Sequence, residues 1–161
     1  MKNSVPNEFQ NLSNQIGLFI EYWGFKKIHG QIWTHIWLSE TPISATILVK
    51  RLGVSKALVS LALKDLIHYD VIKISGQGDR RKILLVANED IQNVIANVLK
   101  MRESKMLQTV LKLNGNVKHM TADQKAVIGL DDVKLEQMKV LIQVAQMSLA
   151  AVIEGELCSN D

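Results

Sequence analysis

The sequence predicts a mainly α-helical fold with a small β-hairpin wing, a winged helix-turn-helix flanked by N- and C-terminal helices. Three observations predict it. Two short apolar-periodic segments, behind Ser44 and Ser55, are joined at Gly53 by a turn of about three residues, the spacing of a helix-turn-helix. Two β-branched runs, one on each side of Gly76-Gln77-Gly78-Asp79-Arg80-Arg81, follow directly and read as a hairpin. Longer segments with three- and four-residue apolar spacing lie before and after.

The first helix is expected over Asn7 to Trp23, where Phe9, Leu12, Ile16, Phe19, Ile20 and Trp23 share a face and Gly24 is the stop. A second, Lys27 to Leu38, carries Ile28, Ile32, Trp33, Ile36 and Trp37 and ends before Ser39-Glu40-Thr41-Pro42. Residues 1–38 therefore form an N-terminal helical region that contributes to the core. Ser44 caps a short helix holding Ile47, Leu48 and Leu52, which Gly53 closes. Ser55 caps the next helix, reaching Tyr69. The runs Val71 to Ser75 and Lys82 to Val86 are the strands of the wing, completing a reading region over residues 39–87.

From Asn88-Glu89-Asp90 a long helix is predicted to Leu113, ended by Asn114-Gly115-Asn116. Thr121-Ala122-Asp123-Gln124 fits a capping box for a short helix closing at Gly129. Asp131 caps a last helix with an apolar stripe through Leu135, Met138, Leu141, Ile142, Ala145, Leu149 and Val152. Residues 88–161 are accordingly a C-terminal helical region.

With 161 residues, 47% of them hydrophobic and 22% charged, the chain can bury a core and is no disordered tail. Its start has no apolar run behind Lys2, and no stretch approaches the roughly 18 uninterrupted apolar residues of a membrane span, so a cytoplasmic protein without a membrane partner is expected. Cys158 stands alone, which excludes an internal disulfide and a multi-cysteine zinc site and leaves it a bystander thiol. Net charge is only +3, but its distribution is uneven. Pro42 to Ala87 holds eight basic residues against three acidic ones, a balance of +5, leaving eleven against thirteen, −2, elsewhere. A basic segment on a slightly acidic scaffold is the footprint of a phosphate-binding module.

Placed 100° apart, Val59, Ala62, Leu63 and Leu66 of the Ser55 to Tyr69 helix share an inward face. Ala57, Ser60, Leu61, Lys64 and His68 share the opposite one, with Ser55 and Lys56 at its start. Short residues there let the backbone approach base edges. Lysines reach phosphate or guanine acceptors, and Ala57 and Leu61 suit thymine methyls. Arg80 and Arg81 at the hairpin tip fit a neighbouring minor groove or its phosphates, and Lys82 adds a phosphate contact. Asp79 is read as orienting Arg80 or bonding the loop backbone. Alone, such a helix is an ordinary solvated face and such a turn an ordinary charged one; their order along the chain favours double-stranded DNA.

Residues 30 to 87 resemble the GbsR branch of the MarR-type winged-helix regulators. The resemblance rests on Gly30-Gln31-Ile32-Trp33, Pro42-Ile43-Ser44, Leu52-Gly53-Val54-Ser55-Lys56, Val59-Ser60, Leu63-Lys64-Asp65-Leu66 and Gly78-Asp79-Arg80-Arg81-Lys82. It implies a homodimer joined by the N-terminal helices, residues 1–38, and by a C-terminal dimerisation region, residues 88–161, with a wing at either end of the DNA site. By analogy it implies a repressor. The chain departs from the family at Ala57-Leu58, where a glycine or small polar pair is common, and at Ser75, near which an aromatic residue is frequent.

Seven of the eight aromatic residues fall in the first two helices or, for Phe25, between them. Relatives in this branch respond to choline-like compounds, so a box of Tyr22, Trp23, Trp33 and Trp37, with Glu21 as counter-charge, could hold a choline- or betaine-like effector by cation–π attraction. The competing reading is core and dimer packing. His29, His35, His68 and His119 lack paired ligand spacing, so no metal is expected. There is no nucleophile elbow, phosphate loop or zinc-protease motif, so no cofactor and no catalytic activity are expected. The alternative to a DNA reader is a winged-helix protein–protein interaction module, against which the lysine-bearing +5 segment weighs.

Overall fold

The computed structural model describes residues 5–157; Cys158 lies outside them. The chain divides into two compact units, Met1–Ile91 and Gln92–Asp161.

The first unit opens with helices α1 (Asn7–Tyr22) and α2 (Lys27–Trp37), which fold back on one another. A Cβ on Gly30 would come within 2.8 Å of the Ile16 carbonyl oxygen and 2.9 Å of Gly17 Cα; one on Gly17 would come within 2.8 Å of the Lys27 carbonyl oxygen. Only two bare Cα atoms allow this crossing. Gln31 closes it further, its Nε2 donating to Asn14 Oδ1 at 2.7 Å.

Strand β1 (Ile43–Ser44) leads into α3 (Ala45–Leu52) and α4 (Lys56–His68), and β2 (Ile72–Gln77) and β3 (Ile83–Ala87) complete a three-stranded antiparallel sheet of order β1-β3-β2. Gly53 ends α3 in the left-handed region at φ 65°, its N–H donating to the Val49 carbonyl, so the chain turns sharply into α4. Ser55 caps α4 as predicted, accepting from Leu58 N at 3.2 Å. Ser44 stands at the cap position of α3, but its hydroxyl makes no cap bond; the residue is buried and pairs through its backbone with Leu84. One core joins these elements: Ile28, Ile32 and Ile36 of α2, Leu48 of α3, Val59, Ala62, Leu63 and Leu66 of α4, and Ile43, Ile72 and Leu85 of the sheet.

At the end of α4, Asp70 takes φ 58° and Val71 N donates back to the Leu66 carbonyl, a left-handed helix ending usually given to glycine. Buried Asn88 secures it, Nδ2 reaching the Asp70 carbonyl at 2.9 Å and carboxylate at 3.1 Å. The base of the wing is thus pinned to the end of α4.

In the second unit, α5 (Ile91–Val98) continues through a π-helical segment, Leu99–Glu103, into α6 (Ser104–Lys118), followed by α7 (Ala122–Ile128) and α8 (Asp132–Leu157). The predicted stop at Asn114-Gly115-Asn116 is overruled. Asn114 is buried and its Nδ2 donates to the Leu135 carbonyl at 3.3 Å, so packing against α8 carries the helix to Lys118. Thr121 and Gln124 form the expected capping box, and Asp131 Oδ1 accepts from Val133 N and Lys134 N.

The predicted stripe on α8 is only partly covered. Ile142 is buried and Leu135, Ala145 and Leu149 half-buried, whereas Met138, Leu141 and Val152 are exposed. Val133, Val140, Val144 and Met147 line the far side and are exposed as well. α8 is therefore apolar around most of its circumference, and over Asp132–Gly155 it is long and apolar enough, with mean hydropathy 1.3, to cross a membrane by length and composition. An uninterrupted apolar run does not reveal this segment, because Glu136, Lys139, Gln143 and Gln146 break it.

Candidate nucleic-acid interface

Inward burial of Val59, Ala62, Leu63 and Leu66 turns the other side of α4 to solvent. Ser55, Lys56, Ala57, Ser60, Leu61, Lys64 and His68 are all exposed, as the 100° spacing predicts. Leu61 is 56% exposed, a large apolar group presented with two lysines rather than packed. Leu58 and Ile67 of the same helix are exposed too. No described residue forms a salt bridge with Lys56 or Lys64.

The wing tip is a tight turn. Gly78 N donates to the Lys82 carbonyl at 2.8 Å and Lys82 N to the Asp79 carbonyl at 3.3 Å, with Arg80 and Arg81 between them at φ 57° and 58°. Two left-handed central residues define a type I′ turn, which favours Asn-Gly and here carries two arginines. Both arginines and Lys82 are exposed. The Asp79 carboxylate bonds neither Arg80 nor the loop backbone, correcting the role read for it; its backbone carbonyl closes the turn instead. A bulge between Ile74 and Gly76 interrupts the β2–β3 register below the tip, and Lys73 on β2 adds another exposed cation.

Sequence reasoning missed how α4 is held from behind. His29 Nε2 lies 3.1 Å from Asp65 Oδ2, joining α2 to the flank of α4, and the Lys26 N–H donates to His29 Nδ1 at 3.1 Å. The signal available was Asp65, an acid in a basic helix, but its partner lies 36 residues away.

The four aromatic residues of the expected effector box are divided between the end of α1 and α2. Tyr22 and Trp23 stand edge-on at 6.0 Å near the end of α1, 84% and 57% exposed, with Glu21 exposed beside them. Trp33 and Trp37 stack at 5.2 Å on α2. Among the described residues no group of three or more His, Cys, Asp or Glu could hold a metal ion.

No family model and no curated protein matches the chain. Among solved structures, its fold is similar to the crystal structure of a transcriptional regulator, with a TM-score of 0.61 and 12% sequence identity, over 91% of this chain and 96% of that one. The chain shares the fold of that structure: mostly helical, with a small three-stranded antiparallel sheet, the winged-helix arrangement.

Proposed function

We propose that this chain is a sequence-specific DNA-binding transcriptional regulator of the GbsR/MarR type, acting as a homodimer on an inverted-repeat operator, and by analogy a repressor. The observation that carries the reading is the outward face of α4. It combines a capped, short-residue N-terminal turn with exposed Lys56, Ser60, Leu61 and Lys64, inside a basic segment whose wing tip carries Arg80, Arg81 and Lys82. In that arrangement α4 enters the major groove, Lys64 and Ser60 reading base edges, while the wing engages the flanking backbone or minor groove.

The dimer is supported by apolar surface that one copy leaves bare. Leu141, Val144 and Met147 of α8, and Leu18 and Phe19 of α1, are exposed, and apolar surface of this kind marks an interface. A second copy, contributing the same faces about a twofold axis, covers both. The two recognition helices then sit about one helical turn apart, fitting half-site centres roughly 10 bp apart.

Selecting bound fragments from the source genome tests this reading. The expected outcome is one enriched inverted repeat with that spacing; recovery of no enriched sequence, with capture of a protein through the wing, would instead establish an interaction module.

A further inference from the structure

The side of α4 turned away from the core carries one line of side chains three or four residues apart: Ala57, Leu61, Lys64 and His68, directly opposite buried Val59 and Leu66. Leu61 stands inside that line and is the most exposed leucine or isoleucine of the helix. Leu58 and Ile67, also exposed, lie to either side of it. From Ala57 to Lys64 the line runs about 10 Å, the length of roughly three base-pair steps.

Isolated leucines are common on protein surfaces. This one is set apart by its neighbours. Lys56–His68 contains no asparagine or glutamine, the side chains that pair bidentately with adenine, and no arginine, whose fork fits guanine. Its one acid, Asp65, lies 3.1 Å from His29 Nε2 on the flank of the helix and is thereby withheld from the amino group of cytosine. Lys56 and Lys64 end in flexible point charges that phosphate satisfies as well as guanine does. Ser60 bonds to either kind of base pair. An exposed aliphatic group amid such residues discriminates one thing in the major groove, the C5 methyl of thymine, which cytosine lacks.

We propose that Leu61 is a specificity-determining residue that packs on the C5 methyl of a thymine in each half-site, so that α4 reads the placement of thymine methyls more than hydrogen-bonding edges. This holds within the DNA-binding reading of α4 and names what that face reads. Short Ala57, one turn before, lets the helix approach closely enough for the contact. Burying one methyl against the leucine gives about a fourfold gain in affinity, and one methyl in each half-site of a dimer about fifteenfold.

Fluorescence anisotropy on a duplex selected from the source genome tests this, each thymine being replaced in turn by 2′-deoxyuridine. Uracil keeps the pairing edge and the O4 acceptor and loses only the methyl. The native chain is expected to bind about fourfold more weakly when the contacted thymine of one half-site is replaced, and about fifteenfold when both are. Leu61→Ala, at an exposed position that leaves the core untouched, is expected to bind the thymine and uracil duplexes alike. Ser60→Ala, about 100° round the helix from Leu61, keeps the native preference. The proposal is overturned if no replacement weakens binding by the native chain, or if Leu61→Ala still prefers thymine by the native margin. In either case the duplex remains bound and the DNA-binding reading stands; a native chain that binds no duplex at any salt concentration sinks both.

Discussion

His29 Nε2 donates to Asp65 Oδ2 at 3.1 Å, and this bond ties α2 to α4, the helix of the proposed interface. The histidine is neutral. Its Nδ1 accepts from the Lys26 N–H, so the ring proton is on Nε2, and burial lowers its pKa more than the nearby Asp65 raises it. The contact is a hydrogen bond between a neutral imidazole and a carboxylate rather than an ion pair.

Removing it with His29→Ala leaves the Lys26 amide and Asp65 without this partner and opens a gap behind α4. Urea unfolding is expected to show a loss of about 1–3 kcal/mol, accompanied by weaker DNA binding at pH 7. An unchanged unfolding midpoint would show that the bond is incidental.

Acid is expected to destabilise the fold. His35 is held down to about 4, first by burial and second by the Arg51 guanidinium, and His29 is lowered in the same direction. Between 6.5, the unfolded value, and about 4 the unfolded chain binds more protons than the folded one. Stability is therefore full above 6.5 and falls as pH drops through that window, by about 3 kcal/mol at most for His35. Unfolding at pH 7 and pH 5 measures this, and His35→Leu should flatten the profile; an equally steep slope in that variant would place the acid sensitivity elsewhere.

At the wing tip, the fold and the proposed function pull apart. Arg80 and Arg81 hold left-handed conformations that cost non-glycine residues about 1 kcal/mol each. The double variant Arg80→Asn with Arg81→Gly supplies the Asn-Gly pair that this turn prefers. It is expected to raise the thermal midpoint while lowering DNA affinity about tenfold or more, as measured by calorimetry and fluorescence anisotropy. A variant equally tight on DNA would remove the wing from the interface.

Much of this was legible in the sequence, and the parts that were not share a cause. The outward face of α4 follows from Val59, Ala62, Leu63 and Leu66 recurring at helical spacing, a local pattern that burial only had to obey. Strand β1 is two residues long, too short for any alternation, and exists because Ile43 and Ser44 meet Leu85 and Leu84. The left-handed ending at Asp70 depends on Asn88, and the helix through Gly115 depends on Asn114 reaching α8. The Gly17–Gly30 crossing had a local trace, a glycine inside each helical pattern, but its meaning lay in the other helix. In the candidate site, chemistry carried by one element was readable, whereas the His29–Asp65 tether required the fold.

The bare face of α8 gives a prediction about assembly. Val144→Glu with Met147→Glu puts two carboxylates on exposed apolar positions, where they cost a lone chain little and a twofold interface a great deal. Sedimentation is expected to show a dimer for the native chain and a monomer for the variant, with helical content retained. A variant that stays dimeric would move the interface off this part of α8.

That α4 and the wing read DNA is tested most directly by anisotropy titrations of a selected genomic fragment with the native chain, Lys64→Ala and Arg80→Ala at several salt concentrations. Native affinity is expected to fall steeply with salt, with a uniform loss and shallower salt slope for Arg80→Ala and an altered sequence preference for Lys64→Ala. Full affinity retained by both variants would contradict the assignment.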